Sequence, residues 1–344
     1  MRSKKPTMKD VAALSGVTQA TVSHVINRSA NVSSETEASV LSAIEQLGFI
    51  PNAMARGLKM KQTRTIGIVI PDVESGYYSA LVSRIDTLLR DEGYMVFLCN
   101  TFYDSATERE LIKALIEFNV DGIVVCYDLL DKSCYKDIDR YRVPLVVIDF
   151  KMTGKYEEVP SVRTDNVLGS RLLIEHLYNL NVKKICVVSE PTWCITLEHR
   201  LNCFIDAIKE FGFKLKEDDI YVASHFYNKT NMGYDISHNI LTHNLPDVIC
   251  ATTDNLAIGI MRRMNENGIS IPKDVLLTGF DDISQCLFVT PNLTTISQPL
   301  EIIASSSVGL LLDSISGKQP DELHVMLEPS LVVRGSTGNS TAIG

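Results

Sequence analysis

The chain has 344 residues, of which 45% are hydrophobic and 22% charged, and its formal net charge is −9. This length predicts two or three domains with sizeable cores, and the composition is typical of globular protein. The sequence contains no run of about eighteen apolar residues, so we expect no membrane span. The basic start at residues 1–6 is not followed by the apolar segment of a secretory signal, which predicts a cytoplasmic protein.

The charge is distributed unevenly along the chain. Residues 1–64 carry nine Lys or Arg and four acidic residues, whereas the remainder carries 24 basic and 38 acidic residues. A basic head on an acidic body indicates a polyanionic partner for the head alone.

The eight cysteines are scattered, and no C-x-x-C pair occurs. That spacing predicts buried thiols rather than a zinc site or a disulfide framework. His238 and His243 are five residues apart, which places them poorly on one helix face for metal binding. We therefore expect no metal and no cofactor.

Two short helices are predicted at the start, in the segment TMKDVAALSGVTQATVSHVINRS. Thr7 is the expected cap of the first helix, with Asp10 completing a capping box. Gly16 interrupts the pattern, because glycine is costly within a helix and favoured in a tight turn. Thr18 is the expected cap of the second helix. Its apolar residues at helical spacing are Val22, Val25 and Ile26.

A third helix is predicted to begin after Ser33 or Ser34, with Glu37 available for a capping box, and to end at Gly48. Its buried face is expected to hold Val40, Leu41, Ile44 and Leu47. Two helices joined by a glycine-containing turn and supported by a third form a helix-turn-helix. The polar face of the second helix carries no carboxylate, which suits the DNA major groove. Small helical domains also serve as protein-interaction modules.

The next segment, residues 50–64, contains a proline, a candidate cap at Asn52 and about two turns of helix-forming residues. Because isolated helices this short are marginal in water, a flexible linker is the simplest interpretation from the residues alone.

From Thr65 the periodicity changes to short apolar runs that alternate with helical patterns. The runs lie at 66–70, 95–98, 123–126, 145–148, 184–189, 247–252 and 275–280. The helical patterns lie near 77–92, 105–118, 132–141, 166–180, 197–211, 230–243 and 254–267. This alternation is typical of parallel sheets covered by helices, and it predicts two doubly wound α/β lobes. Ligands of such sheets bind beyond the carboxyl ends of the strands.

The opening segment closely resembles the headpiece of the lactose/galactose repressor family of bacterial transcription factors, and the resemblance continues from Pro6 to about Arg334. It implies that Gln19, Ala20 and His24 read base edges of double-stranded operator DNA. It also implies that residues 50–62 form a hinge helix on operator DNA, with Leu58 entering the minor groove. The full set of expected DNA-binding residues is Thr7, Thr18, Gln19, Ala20, Thr21, Ser23, His24, Asn27, Asn52, Ala55, Leu58 and Lys59.

The family pattern divides the chain into domains. It implies a headpiece at 1–49, a hinge at 50–64 and a tail at 336–344. The core resembles periplasmic sugar-binding proteins, with one lobe at 65–162 plus about 292–322 and the other at 163–291 plus about 323–335. The tail lacks the leucine heptads of a tetrameric family member, so we expect a homodimer.

An effector site is expected between the lobes, for a ligand such as a sugar or sugar phosphate. Arg200 matches the arginine by which family members hold an effector, and carboxylates with aromatic rings suit hydroxyl-rich ligands. Strand-end aspartates also cap helices, and Arg200 could form a surface ion pair instead. The expected effector-binding residues are Asp72, Ser75, Tyr77, Tyr78, Asp149, Trp193, Arg200, Phe226, Thr253, Asp254, Asp281 and Gln298.

Three other functions compete with that of a regulator controlled by a small molecule. An enzyme is disfavoured, because the sequence lacks a glycine-rich phosphate loop, G-x-S-x-G and H-E-x-x-H. A sugar-binding protein without a DNA role is disfavoured by the basic headpiece. A regulator controlled by a protein partner, such as a phosphorylated carrier, stays open, as does the direction of the effector's influence on DNA binding.

Overall fold

The computed structural model describes residues 5–27, 31–50, 62–127, 132–150, 152–192, 195–226, 228–243 and 245–338, with the backbone alone at 27 and 195. The chain divides into two compact units, Met1–Thr63 and Arg64–Gly344. Among the described residues, none of the helices is both long and apolar enough to cross a membrane.

Within its described residues, the first unit contains three helices, α1 (Met8–Ser15), α2 (Gln19–Asn27) and α3 (Ser34–Leu47). The capping box at the start of α1 is formed, since Asp10 accepts from the backbone N–H of Thr7 at 2.8 Å. Gly16 ends α1 in the left-handed conformation, with φ of 69°. Thr18 caps α2 by accepting from the N–H of Thr21 at 3.1 Å. Local signals in the sequence therefore set both ends of the turn.

The start of α3 is capped by Ser33, whose hydroxyl accepts from the N–H of Thr36. Glu37 consequently lies one residue beyond the position that a capping box requires. The expectation that Leu41 is buried was wrong: its side chain is 53% exposed, because it lies about 100° around the helix from the buried face. The core of this unit is formed by Val11, Ala12, Val22, Val25, Val40 and Ala43.

The second unit contains eight α-helices and twelve strands within the described residues. The strands are β1 (Thr65–Ile70), β2 (Met95–Asn100), β3 (Gly122–Val125), β4 (Leu145–Ile148), β5 (Ser161–Thr164), β6 (Ile185–Ser189), β7 (Ile220–Val222), β8 (Val248–Ala251), β9 (Leu276–Asp281), β10 (Thr294–Ser297), β11 (His324–Leu327) and β12 (Ser330–Val332). The helices are α4 (Gly76–Asp91), α5 (Ser105–Glu117), α6 (Ser133–Arg140), α7 (Asn166–Asn179), α8 (Ile195–Glu210), α9 (Lys229–Leu241), α10 (Asp254–Glu266) and α11 (Leu300–Ser316).

The strands form two sheets, as the alternating pattern predicted. The first has the order β11-β5-β4-β3-β1-β2 with all strands parallel, and α4 and α11 pack together on it. The second has the order β12-β10-β9-β8-β6-β7 and is parallel except for the antiparallel edge strand β12. Strands β3, β4, β6 and β8 are buried along their whole length, which is the environment of a parallel strand covered on both faces.

The chain crosses between the two lobes a few residues later than expected. Strand β10 belongs to the second sheet, although residues from about 292 were assigned to the first lobe. Strand β11 belongs to the first sheet, although residues from about 323 were assigned to the second lobe. The crossings therefore follow β5, β10 and β11. The first lobe comprises the elements from β1 to β5 together with α11 and β11, and the second lobe comprises the elements from α7 to β10 together with β12.

Candidate functional site

The outer face of α2 is the candidate surface in the first unit. Gln19, Ala20 and His24 are exposed, whereas Val22 and Val25 on the opposite face are buried. The three residues expected to read base edges therefore share one exposed face, and no acidic residue lies on this helix. Such a surface meets the steric and electrostatic needs of a helix in the major groove.

Several other expected DNA contacts also have structural roles. The Thr7 hydroxyl donates to Asp10 within the capping box at 2.6 Å, and the hydroxyls of Thr18 and Thr21 lie 3.0 Å apart. Ser23 is half-buried on α2. The side chain of Asn27 lies outside the described residues. The same holds for the four expected contacts of the hinge, Asn52, Ala55, Leu58 and Lys59.

In the second unit, both sheets have a point where the chain order reverses, between β1 and β3 and between β6 and β8. Ligand sites in open α/β sheets lie at the carboxyl ends of the strands beside such a point. Tyr77 and Asp149 come together there in the first lobe, since the Tyr77 hydroxyl donates to Asp149 Oδ1 at 2.7 Å. Asp149 directly follows β4 and has a φ of 72°, which turns the chain at the strand end.

Arg200 and Asp281 form the corresponding group of the second lobe. Arg200 Nη1 donates to Asp281 Oδ1 at 3.0 Å, and both side chains are buried. The guanidinium lies 4.2 Å above the ring of Phe280, which fixes its plane. The Arg200 Nε has no hydrogen-bond partner among the described residues, so one donor of a buried guanidinium is unused.

Gln298 extends this group to the crossing between the lobes. Its Nε2 donates to Asp281 at 2.8 Å, and its Oε1 accepts from the Thr164 hydroxyl at 2.6 Å. Thr164 ends β5 of the first sheet. A buried chain of hydrogen bonds therefore connects Arg200 with the first lobe.

Sequence reasoning missed a second buried ion pair, between Glu190 and Lys229. Lys229 Nζ lies 3.2 Å from Glu190 Oε1, and the Glu190 carboxylate also accepts from the hydroxyls of Thr252 and Thr253 at 2.8 Å each. The signal was available, because Glu190 directly follows β6 and the two threonines follow β8, on the two sides of the reversal. Thr253, expected to touch the effector, is thus engaged with Glu190.

Aromatic rings from both lobes meet beside this pair. Tyr103 of the first lobe stacks on Phe226 of the second, with ring centroids 3.7 Å apart and planes 3° from parallel. The Lys229 ammonium lies 5.9 Å from the ring centroids of Tyr78 and Tyr103. Tyr78 in turn contacts Tyr77 edge to face at 5.1 Å. Expected residues of both lobes therefore meet where the lobes face each other, a region called the cleft below, together with Tyr103, which was not predicted.

The remaining expected residues take different positions. The Asp72 side chain accepts from the N–H of Glu74 at 2.9 Å, and Ser75 is buried at the start of α4. Asp254 is fully buried, and its oxygens accept from the Thr295 hydroxyl and the Ile283 N–H, so the structure gives it contacts within its own lobe. Trp193 lies outside the described residues.

Burial raises the pKa of three carboxyls in this unit, two of them in the cleft. It raises the pKa of Asp149 to about 6, and the hydrogen bond from Tyr77 offsets this only in part. It raises the pKa of Asp254 to about 8, with the nearby charge of Asp281 adding to the rise. The pKa of Asp281 is also raised, because burial outweighs the attraction of Arg200 and Lys229.

The second ion pair stays ionised. Burial opposes the charge of Glu190, but Lys229 and the two threonine hydroxyls outweigh it and lower the pKa of Glu190. Burial also opposes the charge of Lys229, but Tyr103 and Glu190 outweigh it and raise the pKa of Lys229. Within the described part of the chain, no group of three His, Cys, Asp or Glu is arranged to hold a metal ion.

Comparison with known proteins covers both units. The family model for bacterial regulatory proteins of the lacI family matches residues 7–52. The model for periplasmic binding proteins and the sugar binding domain of the LacI family matches residues 63–329.

Two curated relatives match nearly the whole chain. The HTH-type transcriptional repressor PurR of Pasteurella multocida is 32% identical over 332 residues, which are 96% of this chain and 98% of that protein. The ribose operon repressor of Escherichia coli is 31% identical over 332 residues, covering 96% of this chain and 99% of that protein.

Solved structures agree with this assignment. The lac repressor dimer bound to operator and the anti-inducer ONPF has a TM-score of 0.83 at 25% identity, covering 97% of this chain and 99% of that one. A LacI family regulator from Enterococcus faecium with bound ribose has a TM-score of 0.70 at 28% identity, covering 79% and 98%. The chain therefore belongs to the lacI family of bacterial regulatory proteins: it is a DNA-binding transcription regulator with a helix-turn-helix headpiece and a core of the periplasmic sugar-binding type.

Proposed function

We propose that this regulator is a homodimeric repressor whose affinity for a pseudo-palindromic operator is set by a sugar-like molecule bound between the core lobes. The observation that carries the proposal is the buried Arg200–Asp281 pair at the carboxyl end of β9, with an unused Arg200 donor. A sugar hydroxyl both donates and accepts hydrogen bonds. A carboxylate beside a guanidinium supplies the acceptor and the donor that such a hydroxyl needs.

The cleft also offers groups from the opposite lobe. Asp149 and Tyr77 belong to the first lobe, and their electrostatic influence reaches Arg200 and Asp281 of the second. A ligand held by both sets favours one arrangement of the lobes, which is the condition for a ligand to shift a conformational equilibrium. Two relatives support a sugar as the ligand class, since one is a ribose operon repressor and one was solved with bound ribose.

The edge of the first sheet supports a second copy as partner. Strand β2 lies at that edge, and Met95, Phe97 and Leu98 are 69%, 39% and 44% exposed. Beside it, a groove of about 320 Å³ lies between α4 and β2. Exposed apolar strand edges are sites of association. Sedimentation equilibrium should show a dimer, and Leu98→Asp should shift it toward the monomer.

The proposal is tested with the full-length chain. DNA selected from a random pool should contain two inverted half-sites, and calorimetry against monosaccharides and their phosphates should identify a ligand that changes operator affinity. Arg200→Ala should abolish this response while operator affinity without ligand stays near wild type. Arg171→Ala is the matched control, because Arg171 forms an exposed pair with Glu210. A normal response in Arg200→Ala, or no response to any sugar in the wild type, contradicts the proposal.

A further inference from the structure

The Glu190–Lys229 pair lies inside the cleft and is as deeply buried as any charged pair described in the chain. The side chains of Glu190 and Lys229 are 0% and 6% exposed. Asp281 and Asp72 both act on the Lys229 charge, and Glu190 acts on Arg200, so the two ion pairs share one electrostatic environment. The pair therefore helps to determine which ligand charge the cleft accepts.

Glu190 holds Lys229 in place and leaves its positive charge largely neutralised. Each Glu190 oxygen accepts from a threonine hydroxyl, and Oε1 also contacts the Lys229 ammonium. An anionic group that replaced Glu190 as partner of Lys229 would leave a fully buried carboxylate without its counter-ion. Leaving a buried charge unpaired is strongly unfavourable.

The other cation is occupied in the same way, since Arg200 is paired with Asp281. Two further carboxylates, Asp149 and Asp72, have no ion-pair partner among the described residues. The cleft cluster therefore contains two cations, Arg200 and Lys229, and both are paired. It contains four carboxylates: Asp72, Asp149, Glu190 and Asp281. Its excess of negative charge repels an anionic ligand.

We propose that this cleft selects an uncharged polyhydroxyl ligand over its phosphorylated or carboxylated counterpart, and that Glu190 is the specificity-determining residue that withholds Lys229 from an anion. The inference rests on the proposed function and narrows its ligand class. Neutral hydroxyls use the same carboxylates as hydrogen-bond acceptors.

The test is calorimetry of the full-length protein against matched pairs. The probes are ribose with ribose 5-phosphate, glucose with glucose 6-phosphate and gluconate, and galactose with galactose 6-phosphate. Wild type should bind one neutral sugar at least 100-fold more tightly than its anionic counterpart. Glu190→Gln should release Lys229, raise affinity for that counterpart at least tenfold and reduce the discrimination.

Two controls separate specificity from damage to the fold. Glu198→Gln changes an exposed carboxylate on α8 and should leave the discrimination unchanged. Lys229→Met together with Glu190→Gln removes both charges, and it should not gain affinity for the anion. Tighter binding of a phosphorylated or acidic sugar by wild type would overturn the inference and leave the proposed function intact. Failure of every probe, neutral or anionic, to bind would overturn both.

Discussion

The Gln298 side chain donates to Asp281 at 2.8 Å and accepts from the Thr164 hydroxyl. Asp281, the partner of Arg200, is therefore connected through Gln298 to the crossing between the lobes. This relationship provides a physical route by which a ligand in the cleft affects the first lobe. A change in the position of Asp281 alters the hydrogen bond at the end of β5.

Gln298→Leu preserves approximate volume and removes both hydrogen bonds. We expect the sugar still to bind, weakened by no more than about tenfold, whereas its effect on operator affinity should fall toward zero. Anisotropy titrations of operator with and without saturating ligand measure this. Retention of the full wild-type effect would show that coupling does not pass through Gln298.

In the headpiece, His24→Ala tests the exposed face of α2. The substitution should cost about 1–3 kcal/mol on the preferred operator and little on random DNA, because base-edge contacts discriminate between sequences. Lys9→Ala removes an exposed charge on α1 and is the control, since the loss of a charge alone should weaken binding to both DNAs alike. Equal losses on both DNAs would remove His24 from the residues that read sequence.

The hinge prediction concerns Leu58. This residue lies outside the described residues, and the prediction rests on the family resemblance. Leu58→Ala should weaken specific binding much more than non-specific binding and should reduce the DNA bend, because an apolar wedge acts where a base step unstacks. Lys59→Ala should weaken both and lower the slope of affinity against salt. Measuring the binding of both variants to operator and to random DNA at several salt concentrations distinguishes the two effects. Identical behaviour of Leu58→Ala and Lys59→Ala would contradict a wedge role for Leu58.

Asp149 provides a prediction of pH dependence. Its pKa is about 6 in the folded protein and about 3.9 in an unfolded chain, so the folded state holds the proton more tightly. Its contribution to stability is therefore greatest below pH 4 and declines as pH rises to 6. Asp149→Asn keeps an oxygen acceptor for Tyr77 and avoids the buried charge.

Urea unfolding at pH 4, 5, 6 and 7 tests whether the stability contributed by Asp149 declines as pH rises. The variant should match wild type near pH 4 and become more stable than wild type as pH rises, by up to roughly 3 kcal/mol above pH 6. Asp274→Asn, in an exposed turn, should show no such trend. A stability difference that is constant across this range would contradict the raised pKa.

Most of the fold was predictable because its signals are local. The runs that became β1, β3, β4, β6 and β8 are short apolar segments rich in Val and Ile, which is typical of strands covered on both faces. The caps at Thr7 and Thr18 were likewise readable. Helix α11 and strands β5, β7 and β10–β12 were not predicted. In α11 the serine-rich pattern hides the helical periodicity. Ser307 and Ser314 satisfy their hydroxyls on carbonyls one turn back.

The site was only partly predictable, for a different reason. Asp281 and Asp149 could be expected at strand ends, where the fold class places ligands, whereas Arg200 lies within α8 and was expected from the family resemblance. The position of Glu190 after β6 was also visible in the sequence, but its burial with Lys229 was not, because a charged residue after a strand or at a helix start is usually solvated. Only the tertiary structure shows that these two are buried together.

The central claim is that one ligand in the cleft controls operator binding, and thermodynamic reciprocity tests it most directly. Operator affinity is measured by anisotropy with and without saturating sugar, and sugar affinity by calorimetry with and without saturating operator. We expect the same factor in both directions, about 5-fold to 150-fold, because coupling between two sites is mutual. Sugar affinity that is identical with and without bound operator would contradict it.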